Sequence, residues 1–138
     1  MPNNATPKLR GFARQLLAHD AASGKSAGTN DFKAFRVCEK IRVPLSRLAG
    51  VGGFRSILSR AMALAGAEVP WLRALHIKAD GSLEGLEELG AKLDSGKIAE
   101  GEVSLVSHLL GLLITFIGPA LTLRLLRDIW PKMNDLEL

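Results

Sequence analysis

The chain has 138 residues, 47% of them hydrophobic, with 18 Lys+Arg against 14 Asp+Glu and a single Cys. That length and apolar content suit one domain with a real core and exclude wholesale disorder. One Cys excludes an internal disulfide framework and a Cys-based zinc site, so a reducing cytoplasm is the expected compartment.

The net charge of +4 is unevenly laid out. Residues 1–78 hold 13 Lys/Arg against 4 Asp/Glu, a balance of +9. Residues 79–138 hold 5 against 10, a balance of −5. Such a division suits either a polyanion-binding half or two halves that attract each other.

Residues 1–7, rich in Asn and Pro, read as a tail with no basic stretch followed by an apolar run, so no secretory signal is expected there. Leu9, Phe12, Ala13, Leu16 and Leu17 then share one helical face, and the helix should stop by Ser23-Gly24. Residues 23–30 form a small polar connector. Its Ser23-Gly24-Lys25-Ser26 ends like a phosphate loop, but His19 stands where that motif needs Gly.

Thr29 or Asn30 can cap a second helix, with Phe35, Cys38 and Ile41 inward and Lys33, Arg36 and Lys40 on a solvated face. Pro44 should break it and open a short piece over 44–49. Residues 50–53 read as a turn, followed by an amphipathic helix through Phe54, Ile57, Leu58, Ala61, Met62 and Ala65. Residues 45–62 carry a weak likeness to a helix-turn-helix. Ala49 and Gly53 have suitable spacing, but Ser59 falls at an apolar position of that pattern.

Asp80-Gly81 is a hairpin turn signal within residues 75–85. With a three-residue loop 79–81, Ile77 faces Leu83 and His76 faces Glu84. Leu86, Leu89 and Leu93 suggest a short acidic helix ended near Ser95-Gly96. The longest helix is expected over 98–117, broken by Gly118-Pro119, with a last helix over 119–130 and a tail over 132–138.

Residues 103–123 are uncharged and long enough to span a membrane. The Gly118-Pro119 break, the glutamates at its start and the amphipathic second piece argue instead for a helix at the centre of a bundle. Ser104, Ser107, His108, Gly111 and Thr115 form a narrow stripe on it that suits close helix packing or a dimer.

The fold expected is therefore mainly α, a single bundle of five to six helices over 8–131 with one small hairpin near 75–85. The expected core is Phe12, Leu16, Phe35, Ile41, Ile57, Leu58, Leu89, Leu109, Leu113, Phe116 and Leu125. His19, His76 and His108 lack metal-ligand spacing, and Cys38 reads as packing. Glu84, Glu87, Glu88, Asp94, Glu100 and Glu102 read as a solvated acidic belt.

No motif names a reaction, a cofactor, a metal or a small-molecule substrate. The reading these features favour is a non-catalytic protein-interaction module, a small cytosolic adaptor or regulator, with a homodimer as one form of it. One alternative is a nucleic-acid-binding regulator using Lys33, Arg36, Lys40, Arg42, Arg47, Arg55 and Arg60. Another is membrane association through 105–126.

Overall fold

The computed structural model describes residues 6–23, 33–85 and 92–131. Its elements in chain order are α1 (Pro7–Ser23), α2 (Lys33–Glu68), a 3-10 turn (Pro70–Ala74), β1 (His76–Ile77), β2 (Leu83–Glu84), α3 (Ser95–Ile117) and α4 (Pro119–Ile129). Four α-helices are therefore present among the described residues, rather than five or six. The expected acidic helix and Leu89, the phosphate-loop-like segment and the caps at Thr29 and Asn30 lie outside the described residues, as do both tails except Thr6 and Pro7.

α1 opens on Thr6, whose hydroxyl accepts from the Leu9 amide at 3.2 Å. Pro7 follows, at a position where a missing N–H costs nothing. The apolar face expected from the sequence is the face that is buried: Leu9, Phe12, Ala13, Leu16 and Leu17 are all core residues.

α2 differs most from expectation. It runs unbroken through Pro44 and bends instead at Gly50, where φ is 79° and ψ 163°. Pro44 removes one backbone hydrogen bond. Ile41 and Leu45 on either side of it are fully buried, and their packing holds the helix together across the loss. Only Gly50 leaves helical geometry, so the expected four-residue turn over 50–53 is a one-residue bend. A helix-turn-helix needs a turn of three to four residues, which this is not.

The bend is sharp. The Ala34 amide donates to Glu102 at 2.9 Å, and Glu68 accepts from Ser104 at 2.7 Å. Along a straight helix Ala34 and Glu68 would lie about 51 Å apart, whereas Glu102 and Ser104 are about 3 Å apart in rise. Both ends of α2 thus reach the same turn of α3, and α2 folds back as a V. The hairpin sits between its arms. Arg42 on the first arm donates to the Asp80 carbonyl at 3.3 Å, and a Cβ on Gly81 would stand 2.8 Å from the Phe54 ring on the second arm.

The hairpin has the expected register, His76 against Glu84 and Ile77 against Leu83. Lys78 and Ser82 close its three-residue loop through a 2.8 Å backbone bond, and Gly81 takes the left-handed conformation at φ 91°.

α3 begins at Ser95, three residues earlier than expected. Asp94 caps it by accepting from the Lys97 amide at 2.8 Å, so Ser95-Gly96 start this helix and do not end another. α3 is long and apolar enough to cross a membrane, with a mean hydropathy of 1.4 over its most apolar window. Two thirds of that window (67%) is buried against the rest of the chain, as in the core helix of a bundle. Leu105, Val106, Leu109, Leu110 and Leu113 are essentially inaccessible.

Phe116 is a correction: it is 64% exposed, because the neighbours that cover 105–113 do not reach the last turn of α3. Phe35 is only partly buried. Gly118 (φ 86°) then turns the chain, and Pro119 opens α4.

Candidate interaction surface

Charge placement in the fold starts from three carboxylates that tie helices together: Asp20 and Glu68, which the sequence reading did not single out, and Glu102, which it placed in the solvated belt. Asp20 continues the Ala13–Leu16 ridge of α1 inward, and its side chain is fully buried. Lys40 donates to its Oδ1, Arg36 Nε lies 3.5 Å from its Oδ2, and the Trp130 indole N–H donates to Oδ1 at 3.0 Å. Lys40 also stands 5.9 Å from the Trp130 ring centre, over its face. Arg36 and Lys40 are therefore not simply solvated. They tie α1, α2 and the end of α4 to one carboxylate.

A second polar cluster closes the tip of the second arm. Glu68 Oε1 accepts from Ser104 at 2.7 Å and lies 3.0 Å from His108 Nε2, while Arg10 donates to Oε2 at 2.6 Å. Burial alone would raise the Glu68 carboxyl. The hydrogen bonds from Ser104, His108 and Arg10, with the Arg10 charge, outweigh it and hold the pKa down to about 2.

This cluster brings Ser, His and a carboxylate together, but not in the order of a proton relay. Ionised Glu68 only accepts, so His108 Nε2 and the Ser104 hydroxyl both donate to the same oxygen. Ser104 therefore does not hand its proton to His108, as nucleophilic activation would need. His108 Nδ1 is buried with no hydrogen-bond partner among the described residues.

Glu102 is the third case. It is 6% exposed, not part of a solvated belt. It receives the backbone amides of Lys33 and Ala34 and so caps the start of α2 from a distant helix. Burial raises its pKa more than those amides and Lys33 lower it. The Cys38 thiol is also buried and is pushed up to about 12 by that burial, with Glu39 adding to the shift, so it is no nucleophile at neutral pH.

Glu68 and Glu102 set opposite pH dependences. Glu102, raised above its ordinary 4.5, favours folding when protonated, so its contribution is lost as pH rises through its folded pKa. Glu68, lowered, favours folding when ionised, and that contribution is lost as pH falls from 4.5 to about 2. Urea unfolding followed by circular dichroism should show stability rising as the pH is lowered toward 4.5 and falling below it. Glu102→Gln should flatten the upper limb and Glu68→Gln the lower.

The stripe on α3 is largely used within the chain. Ser104 and His108 are bound to Glu68, while Ser107 and Gly111 are buried. Thr115 is exposed and donates back to the Gly111 carbonyl at 3.0 Å.

The seven basic candidates divide. Arg36 and Lys40 serve Asp20, and Arg42 binds Glu39 at 2.8 Å as well as the hairpin. Arg47, Arg55 and Arg60 are exposed, without a hydrogen bond or ion pair to any described residue. Lys33 is exposed at the start of α2. The structure thus does not gather all seven into one patch. Lys33, Arg36, Lys40, Val43 and Arg47 follow helical spacing along one edge of the first arm, a ridge about 21 Å long.

Near the bend this ridge becomes apolar. Val43, Leu48 and Val51 are 49%, 57% and 47% exposed. Lys/Arg alternation along 33–60 was visible in the sequence, but these three aliphatic residues were not recognised as surface. Their only signal was position, since Val43 lies with Lys33, Arg36 and Lys40 and away from Ile41.

The ion pairs of the basic half use its own carboxylates. Asp20, Glu39 and Glu68 all belong to residues 1–78. Glu84, Glu100 and Asp128 of the acidic half are exposed and make no ion pair with a described residue. Compared with protein-family models, curated proteins and solved structures, the chain matches none of them.

Proposed function

We propose that this chain is a small cytoplasmic adaptor or regulator that performs no catalysis and binds an acidic protein partner along the first arm of α2 and its bend. The observation that carries the reading is the exposure of Val43, Leu48 and Val51 beside Arg47. Each is about half exposed, so burying the rest stabilises a complex by about 1 kcal/mol per side chain. A protein partner supplies apolar surface for them and carboxylates for the ridge. A phosphate backbone supplies only the charge, which favours a protein over nucleic acid.

The buried polar clusters support the non-catalytic side of the reading. Their donors converge on single carboxylates and join helices, and the Ser104–His108–Glu68 arrangement lacks a relay. A second copy of the chain is the alternative partner, because Glu84, Glu100 and Asp128 offer exposed acid to match the basic ridge.

The test places a photo-crosslinking amino acid at Leu48 in the host cell. The expected result is a discrete protein adduct whose crosslinked peptide is acidic, and which Arg47→Glu abolishes. Adducts to nucleic acid alone, or none at all, would overturn the proposal. An adduct of the chain with itself would keep the interaction surface and make the partner a second copy.

A further inference from the structure

The uncharged run over 103–123 is mostly drawn into the bundle, with Leu105, Val106, Leu109, Leu110 and Leu113 enclosed. What stays outside is the corner where α3 passes into α4. Thr115, Phe116, Pro119, Ala120 and Leu121 are exposed there, and Ile117 is half-buried. Phe116 is the most exposed large apolar side chain among the described residues.

The corner offers little to a hydrogen-bonding partner. Thr115 has its one polar side chain, and that hydroxyl donates back to the Gly111 carbonyl at 3.0 Å. The Gly118 amide is spent on the Ile114 carbonyl at 2.9 Å, and Pro119 has no N–H. A protein interface of ordinary size carries a hydrogen bond for about every 100–200 Å².

Charge appears only behind the tip, and in a definite order. Ala120, Arg124 and Arg127 lie at i, i+4 and i+7, so the two exposed arginines share a face of α4 that begins at the corner. Arg124 is about 9 Å of helix rise from Gly118. The first carboxylate along α4 is Asp128, about 15 Å away at the far end, and Glu102 at the other end of the uncharged run is buried. An apolar tip with cations one to two turns behind it matches the layering of a bilayer with anionic headgroups, where arginine stems cross the apolar zone and their guanidiniums reach phosphate.

We propose that this corner docks on an anionic lipid surface. Phe116 and Leu121 seat at the boundary of headgroups and acyl chains, and Arg124 and Arg127 pair with the headgroups. The contact is peripheral and reversible, since α3 stays enclosed by its own chain. It uses none of the residues at the bend of α2, so the partner surface proposed there stays open while the chain is docked.

The test is flotation of the whole chain with vesicles of phosphatidylcholine alone and of phosphatidylcholine with about one third phosphatidylglycerol. The chain should float with the mixed vesicles and far less with phosphatidylcholine alone. Phe116→Ser with Leu121→Ser should weaken that partition about tenfold or more, and Arg124→Gln about fivefold. These side chains are exposed, so both variants should keep the circular dichroism of the parent. Arg47→Glu, away from the corner, should weaken it less than the serine pair. In mixed vesicles with brominated acyl chains, Phe116→Trp should be quenched beyond the parent, in which Trp71 is half-buried and Trp130 buried. Absence of flotation would overturn the proposal. So would flotation that the serine pair leaves unchanged and Arg47→Glu abolishes, since charge alone then holds the chain. A protein adduct from a photo-crosslinker at Phe116, without flotation, would make the corner a protein contact and overturn it as well.

Discussion

Replacing Asp20 by alanine is expected to lower the unfolding free energy by about 3–5 kcal/mol, the usual cost of removing one partner from a buried ion pair. A domain of this size holds only about 5–15 kcal/mol in total, so the loss is a large share. The size follows from what the substitution strands. The Asp20 side chain is fully buried, whereas those of Arg36 and Lys40 are 20% and 40% exposed. Without the carboxylate, Lys40 can turn to water, but Arg36 is more enclosed and the buried Trp130 indole loses its acceptor. Asp20→Asn keeps an oxygen for Trp130 and should cost less than alanine. A double-mutant cycle in urea should give a larger coupling for Asp20 with Arg36 than with Lys40, because exposure screens the Lys40 charge. A loss under 1 kcal/mol for the alanine variant would show that this carboxylate is not what joins α1, α2 and α4.

The Asp20 cluster also shows which features a sequence can disclose. Where the cause is local, the residues announce it. Asp80-Gly81 and the alternation around it specify the hairpin and its register, because turn geometry fixes which residues face each other. Gly118-Pro119 marks the corner between α3 and α4 for the same kind of reason. The buried face of α1 follows from spacing alone, and Asp20 on that ridge is an apolar-face carboxylate that could have been recognised as paired.

Where the cause lies far along the chain, local chemistry misleads. Pro44 looks like a helix break, yet Ile41 and Leu45 carry α2 through it and Gly50 makes the bend. Glu102 looks like one more surface acid, yet it caps a helix that begins 69 residues earlier. Phe116 has the spacing of a core residue, but nothing in its own segment tells that the covering helices stop short. The candidate surface is of this second kind. Val43, Leu48 and Val51 are ordinary apolar residues until the V of α2 puts them on its outer side.

Gly101→Ala provides the second large effect, and the two relevant forces disagree on its sign. Gly101 lies within α3, where exchanging glycine for alanine normally stabilises a helix by about 1 kcal/mol. Here an added Cβ would stand 2.2 Å from Cζ2 of the Trp71 ring and 2.8 Å from Cε2. Trp71 cannot simply swing away, because its indole N–H donates to the Lys97 carbonyl at 3.1 Å, one turn earlier on α3. Trp71 lines one small cavity together with Ala34, Leu72 and Leu105, so displacing it changes the packing near the start of α2 as well. Overpacking of this kind costs about 1–3 kcal/mol, and the steric term should win. Gly101→Ala is therefore expected to destabilise the chain in urea unfolding. The same exchange in a Trp71→Ala background should stabilise it, since the clash is gone and only helix propensity remains. The reversal of sign between the two backgrounds is what distinguishes a steric key from a general intolerance of substitution in α3. If Gly101→Ala stabilises both, the indole does not hold α3 and the 3-10 turn together at this point.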